Sequence, residues 1–265
     1  FVKNPEMKSL QTGVSGIPSG WKFVNDSEEF TEFTIEALED GLTAQLSINE
    51  CEYRIDNGSW TTLPAGSNTS SIKKGQTLSF RGNLTPNSSN GIGTFTISNK
   101  CNLKGNIMSL LYGDNFINKK NLTGKSYTFY TLFKNCTNIV DASKLILPAT
   151  TLEVSCYSNM FNGCTSLTKA TELPAEKLAN GCYSYMFSGC SSLNNIVMLA
   201  TDISASSCLS NWVNGVASTG TFVKNPEMIS LPPGSSGIPS GWIVIDILDT
   251  PLGDGGLLQD GLTVN

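Results

Sequence analysis

The chain contains no histidine. Its absence removes the commonest general base and the commonest transition-metal ligand at neutral pH. Charge is also sparse: Asp, Glu, Lys and Arg make up 15% of the 265 residues, with a balance of −5. A phosphate backbone is met by a clustered basic face, so nucleic acid is excluded as a partner. The pairs Lys73-Lys74 and Lys119-Lys120 read as solvated turns. No apolar run reaches the length of a membrane span, and no signal-peptide pattern opens the sequence. The start at Phe1 rather than Met leads to the expectation of an excised piece of a longer chain. There is no GxSxG motif and no histidine to activate any of the many serines. The acid clusters Glu28-Glu29, Glu39-Asp40 and Glu50-Cys51-Glu52 read as turns or strand edges rather than a catalytic pair. An enzyme is therefore not expected, and neither is a cofactor.

What the chain does have is the same segment twice. Residues 1–21 and residues 222–242 are identical at 17 of 21 positions, without gaps, at an offset of 221. The match resumes weakly when Leu38-Glu39-Asp40-Gly41-Leu42-Thr43 returns as Leu258-Gln259-Asp260-Gly261-Leu262-Thr263. The chain reads as slightly more than one period of an array, which is a way to build a stalk, a fibre or a multivalent surface. It is a poor way to build a single catalytic centre.

A second, shorter repeat lies inside the period. Cys156-Tyr-Ser-Asn-Met-Phe161-Asn-Gly-Cys164 aligns with Cys182-Tyr-Ser-Tyr-Met-Phe187-Ser-Gly-Cys190, 26 residues later. Cys208 continues the series, and Phe133-Lys-Asn-Cys136 is the same unit displaced by 28. A period of this length with fixed apolar positions predicts a solenoid with one strand and one helical segment per turn. Leu178, Cys182 and Met186, four apart, suit one face of a helix over 175–187, with Gly189 as its stop. The stretch from about 30 to 113 differs. Short β-prone runs at 30–35, 42–48, 77–81 and 91–97, and Asp56-Asn57-Gly58 as a hairpin turn between two more, predict an antiparallel sandwich.

The fold class expected is thus α+β: a small antiparallel, immunoglobulin-like β-sandwich followed by a solenoid of about three turns. Residues 1–24 would close a preceding module, and 25–113 would form the sandwich. Residues 114–221 would form the solenoid, 222–247 its cap and exit linker, and 248–265 the start of the next module. Residues 106–112, the most apolar run, would be the seam.

The units CYSNMFNGCTSLTKATELPA and CYSYMFSGCSSLNN resemble the leucine-rich repeats of BspA-like surface proteins of Bacteroidota. The phrases RIDNGSWTTL, KKGQTLSFRGN, GNIMSLLYGDNF and GTFVKNPEM…GIPSGW are similar to sandwich, junction and closing segments of that family. The resemblance implies a secreted or cell-surface protein with a leucine-rich-repeat solenoid, used in adhesion to host or bacterial surface proteins. Related repeats occur in phages of these bacteria, and no catalytic motif carries over. The function expected is a non-enzymatic extracellular repeat module for adhesion or protein–protein interaction. The alternatives are a structural repeat of a fibre or appendage, and a glycan-binding module.

Several residues stand out as site candidates. Six of the eight cysteines sit on the 26-residue lattice, where packing as small apolar residues is the simpler reading than disulfides or a metal. Cys51 and Cys101 lie off the lattice and are the candidates for one disulfide. Asp246, Asp249 and Asp254, and Asp114 within Tyr112-Gly113-Asp114-Asn115, lack the ligand spacing of a calcium loop, so no metal site is assigned. Trp60, Tyr53, Tyr127, Tyr130, Tyr157, Tyr183 and Tyr185 are the aromatics a sugar could stack on, and Tyr185, where the preceding repeat has Asn159, is chosen as the ligand contact. The severed first copy, residues 1–21, is expected to favour end-to-end self-association.

Overall fold

The computed structural model describes residues 31–87, 90–228 and 231–247. Both terminal segments of the expected organisation, 1–24 and 248–265, lie outside the described residues.

The sandwich forms where β-prone runs alternate. Strands β1 (Phe33–Ala37), β2 (Ala44–Leu46), β3 (Cys51–Ile55), β4 (Thr61–Leu63), β5 (Thr77–Arg81), β6 (Phe95–Ile97) and β7 (Cys101–Asn106) precede a short helix α1 (Ser109–Tyr112) and strand β8 (Ile139–Ile146). One sheet has the order β4-β3-β5-β1-β7-β8, and β2 pairs with β6 in the other. All pairs are antiparallel except β7 with β8. Period-two burial accounts for the layers: Cys51, Tyr53, Leu78, Phe80, Phe33 and Ile35 turn inward, while Glu52, Arg54 and Arg81 face out.

Beyond α1 the architecture departs from the expectation. The α+β class with a leucine-rich-repeat solenoid is overturned: the chain is mostly β, about 30% strand against 3% helix, with mixed sheets and no such solenoid. The helix expected over 175–187 is absent. In its place is a run of consecutive turns with left-handed φ at Gly181, Tyr185 and Gly189. The same spacing recurs at Tyr127, Thr131 and Asn135, at Ser155, Asn159 and Gly163, and at Ser207, Asn211 and Gly215. A left-handed residue every fourth position cannot belong to an α-helix.

The hydrogen bonds explain how the backbone is satisfied instead. Between 155 and 164 the N–H groups alternate. Those of Ser158, Met160 and Asn162 donate to the carbonyl three residues back, while those of Tyr157, Asn159 and Phe161 donate to Cys182, Ser184 and Met186 in the adjoining layer. Layer 127–135 donates to 154–162 in the same alternating way, and layer 181–189 to 206–214. No backbone donor along these runs needs a helix partner. The apolar spacing of four is the true period of the turn, whereas a helix would drift by about 40° at each step. Parallel pairing joins the other side of the layers. β8 bridges through Lys169 to β9 (Asn195–Met198), which pairs with β10 (Thr221–Lys224), which pairs with β11 (Ile243–Asp246).

The sandwich serves as the first layer of this stack. Ile92 and Phe95 donate their N–H groups to Thr128 and Leu132, as each later layer does to its neighbour. The seam thus runs through β6 and the β7–β8 pair, as well as through the expected 106–112. Rings follow one another without a break from Tyr53 through Phe80, Phe95, Phe133, Phe161, Phe187 and Trp212 to Phe222, with centroids 5.1–6.4 Å apart. Such pairs add about 0.5–1.5 kcal/mol each beyond area burial. Gly91 marks the closest approach: its φ is +58°, and a Cβ there would lie 2.5 Å from the Tyr127 carbonyl oxygen. Gly91→Ala is expected to cost about 1–3 kcal/mol in urea unfolding, and a loss below about 0.5 kcal/mol would contradict so tight a seam.

The last layer is closed by residues 222–242. The Trp212 Nε1–H donates to the Gly237 carbonyl at 2.8 Å, and the Trp242 Nε1–H to the Ala217 carbonyl at 2.7 Å. Pro232, Gly234, Ser235 and Ile238 form a tight return beneath this layer, with the Val213 N–H donating to Ser235.

Candidate functional site

The cysteines were the densest chemical feature of the sequence, and all eight are buried free thiols. Cys51 and Cys101 do not form the disulfide expected of them. Cys51 is on β3 and Cys101 on β7, with β5 and β1 between them, three interstrand spacings of about 4.8 Å, well beyond the reach of a bridge. The lattice cysteines have a structural task. The thiols of Cys136, Cys164 and Cys190 donate to the carbonyls of Phe95, Phe133 and Phe161 one layer away, at 2.9, 3.1 and 3.0 Å. Burial pushes the thiols of Cys51, Cys136, Cys156 and Cys190 up to about 12, and raises those of Cys101, Cys164 and Cys182 as well. Such thiols are poor nucleophiles and poor metal ligands. Alkylation without reductant is expected to give no adduct at the seven innermost cysteines in the native chain and eight adducts after denaturation. Two missing adducts in the mass spectrum would reinstate a disulfide.

Several of the candidate acids are held by neighbours. Glu52 and Asp114 both pair with Arg81, at 2.8 and 2.6 Å, and Asp246 pairs with Lys224 at 2.5 Å. Asp40 accepts the Lys74 N–H, and Glu39 the Lys100 N–H. Glu28, Glu29, Asp249 and Asp254 lie outside the described residues. Among the described residues no three Cys, Asp or Glu side chains converge to hold a metal ion, and no helix is long and apolar enough to cross a membrane.

The aromatics divide sharply. Tyr53, Tyr157 and Tyr183 are buried, Tyr157 stacked on Phe129 and Tyr183 tilted against Tyr157. Trp60 is half-buried, with the Arg54 guanidinium 4.7 Å and the Arg81 guanidinium 4.2 Å from its ring centroid. Tyr127 and Tyr130 meet edge to face at 5.8 Å. Tyr185 alone of the tyrosines is exposed, at 40%. It occupies the left-handed corner of its layer, and its hydroxyl accepts a hydrogen bond from Asn211 Nδ2 at 3.1 Å. The corner column is therefore Thr131, Asn159, Tyr185, Asn211, a polar ridge with one ring projecting from it. A shallow groove of about 190 Å³ lies at the closing end, between Val213–Ser218 and the Gly234–Ser235 and Pro239–Ser240 pairs.

Comparison with protein-family models, with curated proteins and with solved structures finds no match.

The sequence did not reveal the Arg54–Trp60–Arg81 stack, because it joins β3 and β5 with the residue that precedes β4. Nor did it reveal the open edge of β11, where Ile243 and Val244 are exposed. The signal for that edge was present in Ile243-Val244-Ile245, a β-branched run following the closing turn.

Proposed function

We propose that this chain is a non-enzymatic repeat module of an extracellular or cell-surface protein, acting in adhesion or protein–protein contact, whose closing segment recurs between successive modules. The fate of the duplicated residues carries the reading. Phe222, Val223, Met228 and Trp242 are buried in the closed stack, and Leu231 and Ile238 are half-buried. Every one is identical in the first copy, as Phe1, Val2, Met7, Trp21, Leu10 and Ile17. Of the four positions that differ, Pro232 and Pro233 are exposed and Ser235 is half-buried, while Ile229 lies outside the described residues. Every buried position named is the same in both copies, and two of the three described differences are exposed, which supports two stacks closed in the same way. End-to-end contact through residues 1–21 belongs to the same proposal, as does recognition of a host or bacterial surface protein or of a glycan.

Repetition multiplies weak contacts. Chains carrying one and three copies of the 221-residue period, coupled to beads and offered matrix-protein and glycan panels, test the reading. Saturable binding is expected, tightening about a hundredfold or more from one copy to three. A three-copy chain that binds nothing on either panel while extending as a stiff rod would support the fibre instead.

A further inference from the structure

β11 ends the parallel stack as an edge that nothing among the described residues covers. The Ile243 N–H donates to Gly220 and the Ile247 N–H to Lys224, so 243, 245 and 247 face β10. In a parallel ladder the backbone groups of Val244 and Asp246 then point away from it. Ile243 is 66% exposed and Val244 44% exposed. Val244 lies opposite Phe222, itself opposite Ile196, so a buried apolar column opens to solvent at its last member. An edge that is both unpaired and apolar is a template for another strand.

We propose that this edge receives residues 1–4 of a second copy of the chain as a parallel strand, which rests on the reading of the duplicated segment as a recurring closing unit. Phe1-Val2-Lys3-Asn4 is identical to Phe222-Val223-Lys224-Asn225. That second sequence already fits β11 from its other side, with Phe222 opposite Val244 and Lys224 opposite Asp246. In the same register Phe1 covers the open end of the apolar column at Val244. Lys3 then reaches the Asp246 carboxylate, which is still half exposed while paired with Lys224 at 2.5 Å. The contact joins two different surfaces, so it propagates head to tail rather than closing a symmetric dimer.

Sedimentation of the full chain and two variants tests this. Deletion of residues 1–4 removes the strand, and Val244→Lys charges the edge at an exposed position. The unaltered chain is expected to form a concentration-dependent series of oligomers at roughly 0.1 mM, the weak end of specific association. Each variant alone is expected to be monomeric, and an equimolar mixture to give a one-to-one dimer. Lys3→Glu in the strand-bearing variant should weaken that dimer about tenfold, through like charge at Asp246. Self-association of the deletion variant would overturn the proposal, because the edge would then pair with itself. A monomeric unaltered chain would overturn it too, whether or not residues 1–4 protect the Val244 and Asp246 amides from exchange by folding back. A mixture that stays monomeric while the three-copy chain binds its panel sinks the edge contact and leaves the module reading intact.

Discussion

Raising the pH from 7 to 9.5 under reducing conditions is expected to lower the unfolding free energy by roughly 6–10 kcal/mol. The cause is the thiol inventory. Burial raises the folded-state pKa of all eight cysteines, to about 12 at Cys51, Cys136, Cys156 and Cys190. The unfolded chain ionises them near pH 8.5–9. Because the folded values are raised, their contribution is complete below about pH 8.5 and is lost as pH climbs toward the folded values. At pH 9.5 each innermost thiol favours the unfolded chain by about 1 kcal/mol, somewhat less for an unfolded value of about 9 and somewhat more for about 8.5. Seven such thiols, leaving out Cys208 at the end of its column, give the stated range. Tyr157 and Tyr183, also raised by burial, add to the loss above about pH 10. A loss of this size rivals the whole stability of an ordinary domain, so alkaline unfolding is expected between about pH 9 and 10. Urea unfolding followed by tryptophan fluorescence at pH 7, 8.5 and 9.5 measures it. A flat profile would mean that the cysteine columns are open to water.

Trp212→Ala is expected to cost about 3–5 kcal/mol and to release the closing segment first. Trp212 stands 26 residues after Met186, where the lattice would place another Met. Its fully buried ring instead bridges Phe187, 6.2 Å away, and Phe222, 6.1 Å away, and its Nε1–H holds the Gly237 carbonyl. Removing it opens a cavity between the last layer and its cover and leaves Gly237 without that donor. Trp212→Met restores the lattice residue but not the indole bond, and is expected to cost about 1–3 kcal/mol. Hydrogen exchange should show residues 207–246 losing protection ahead of β1, β5 and β7. Uniform loss across both regions would mean that the stack and its cover open only with the sandwich.

The β-rich character of residues 33–106 was legible because its signals are local. Asp56-Asn57-Gly58 turns β3 into β4, Thr77–Arg81 is β5, and Cys51–Arg54 alternates between buried and half-buried positions. The stack was legible in its period of 26 but not in its backbone. Leu178, Cys182 and Met186 fit a helical face and a four-residue turn equally well over so few steps. The discriminating signal was on the opposite face: Ser155, Asn159 and Gly163, then Ser207, Asn211 and Gly215, are poor helix residues spaced by four. Tyr185 hides that signal in the layer between, since a bulky residue seldom takes a left-handed φ. Strand order could not be read at all, which is why Cys51 and Cys101 were paired across a sheet that keeps them strands apart.

If the two copies of FVKNPEM…GIPSGW are one closing device, the first must be able to do the work of the second. Ile229→Lys, Pro232→Gln, Pro233→Thr and Ser235→Val together rewrite residues 222–242 as residues 1–21. Urea unfolding of this fourfold variant, read with amide exchange over 207–246, decides the matter. Retained protection is expected, with a stability loss of no more than about 2 kcal/mol from the two exposed prolines. A loss as large as that of Trp212→Ala, with the closing segment unprotected, would contradict a shared role for the two copies.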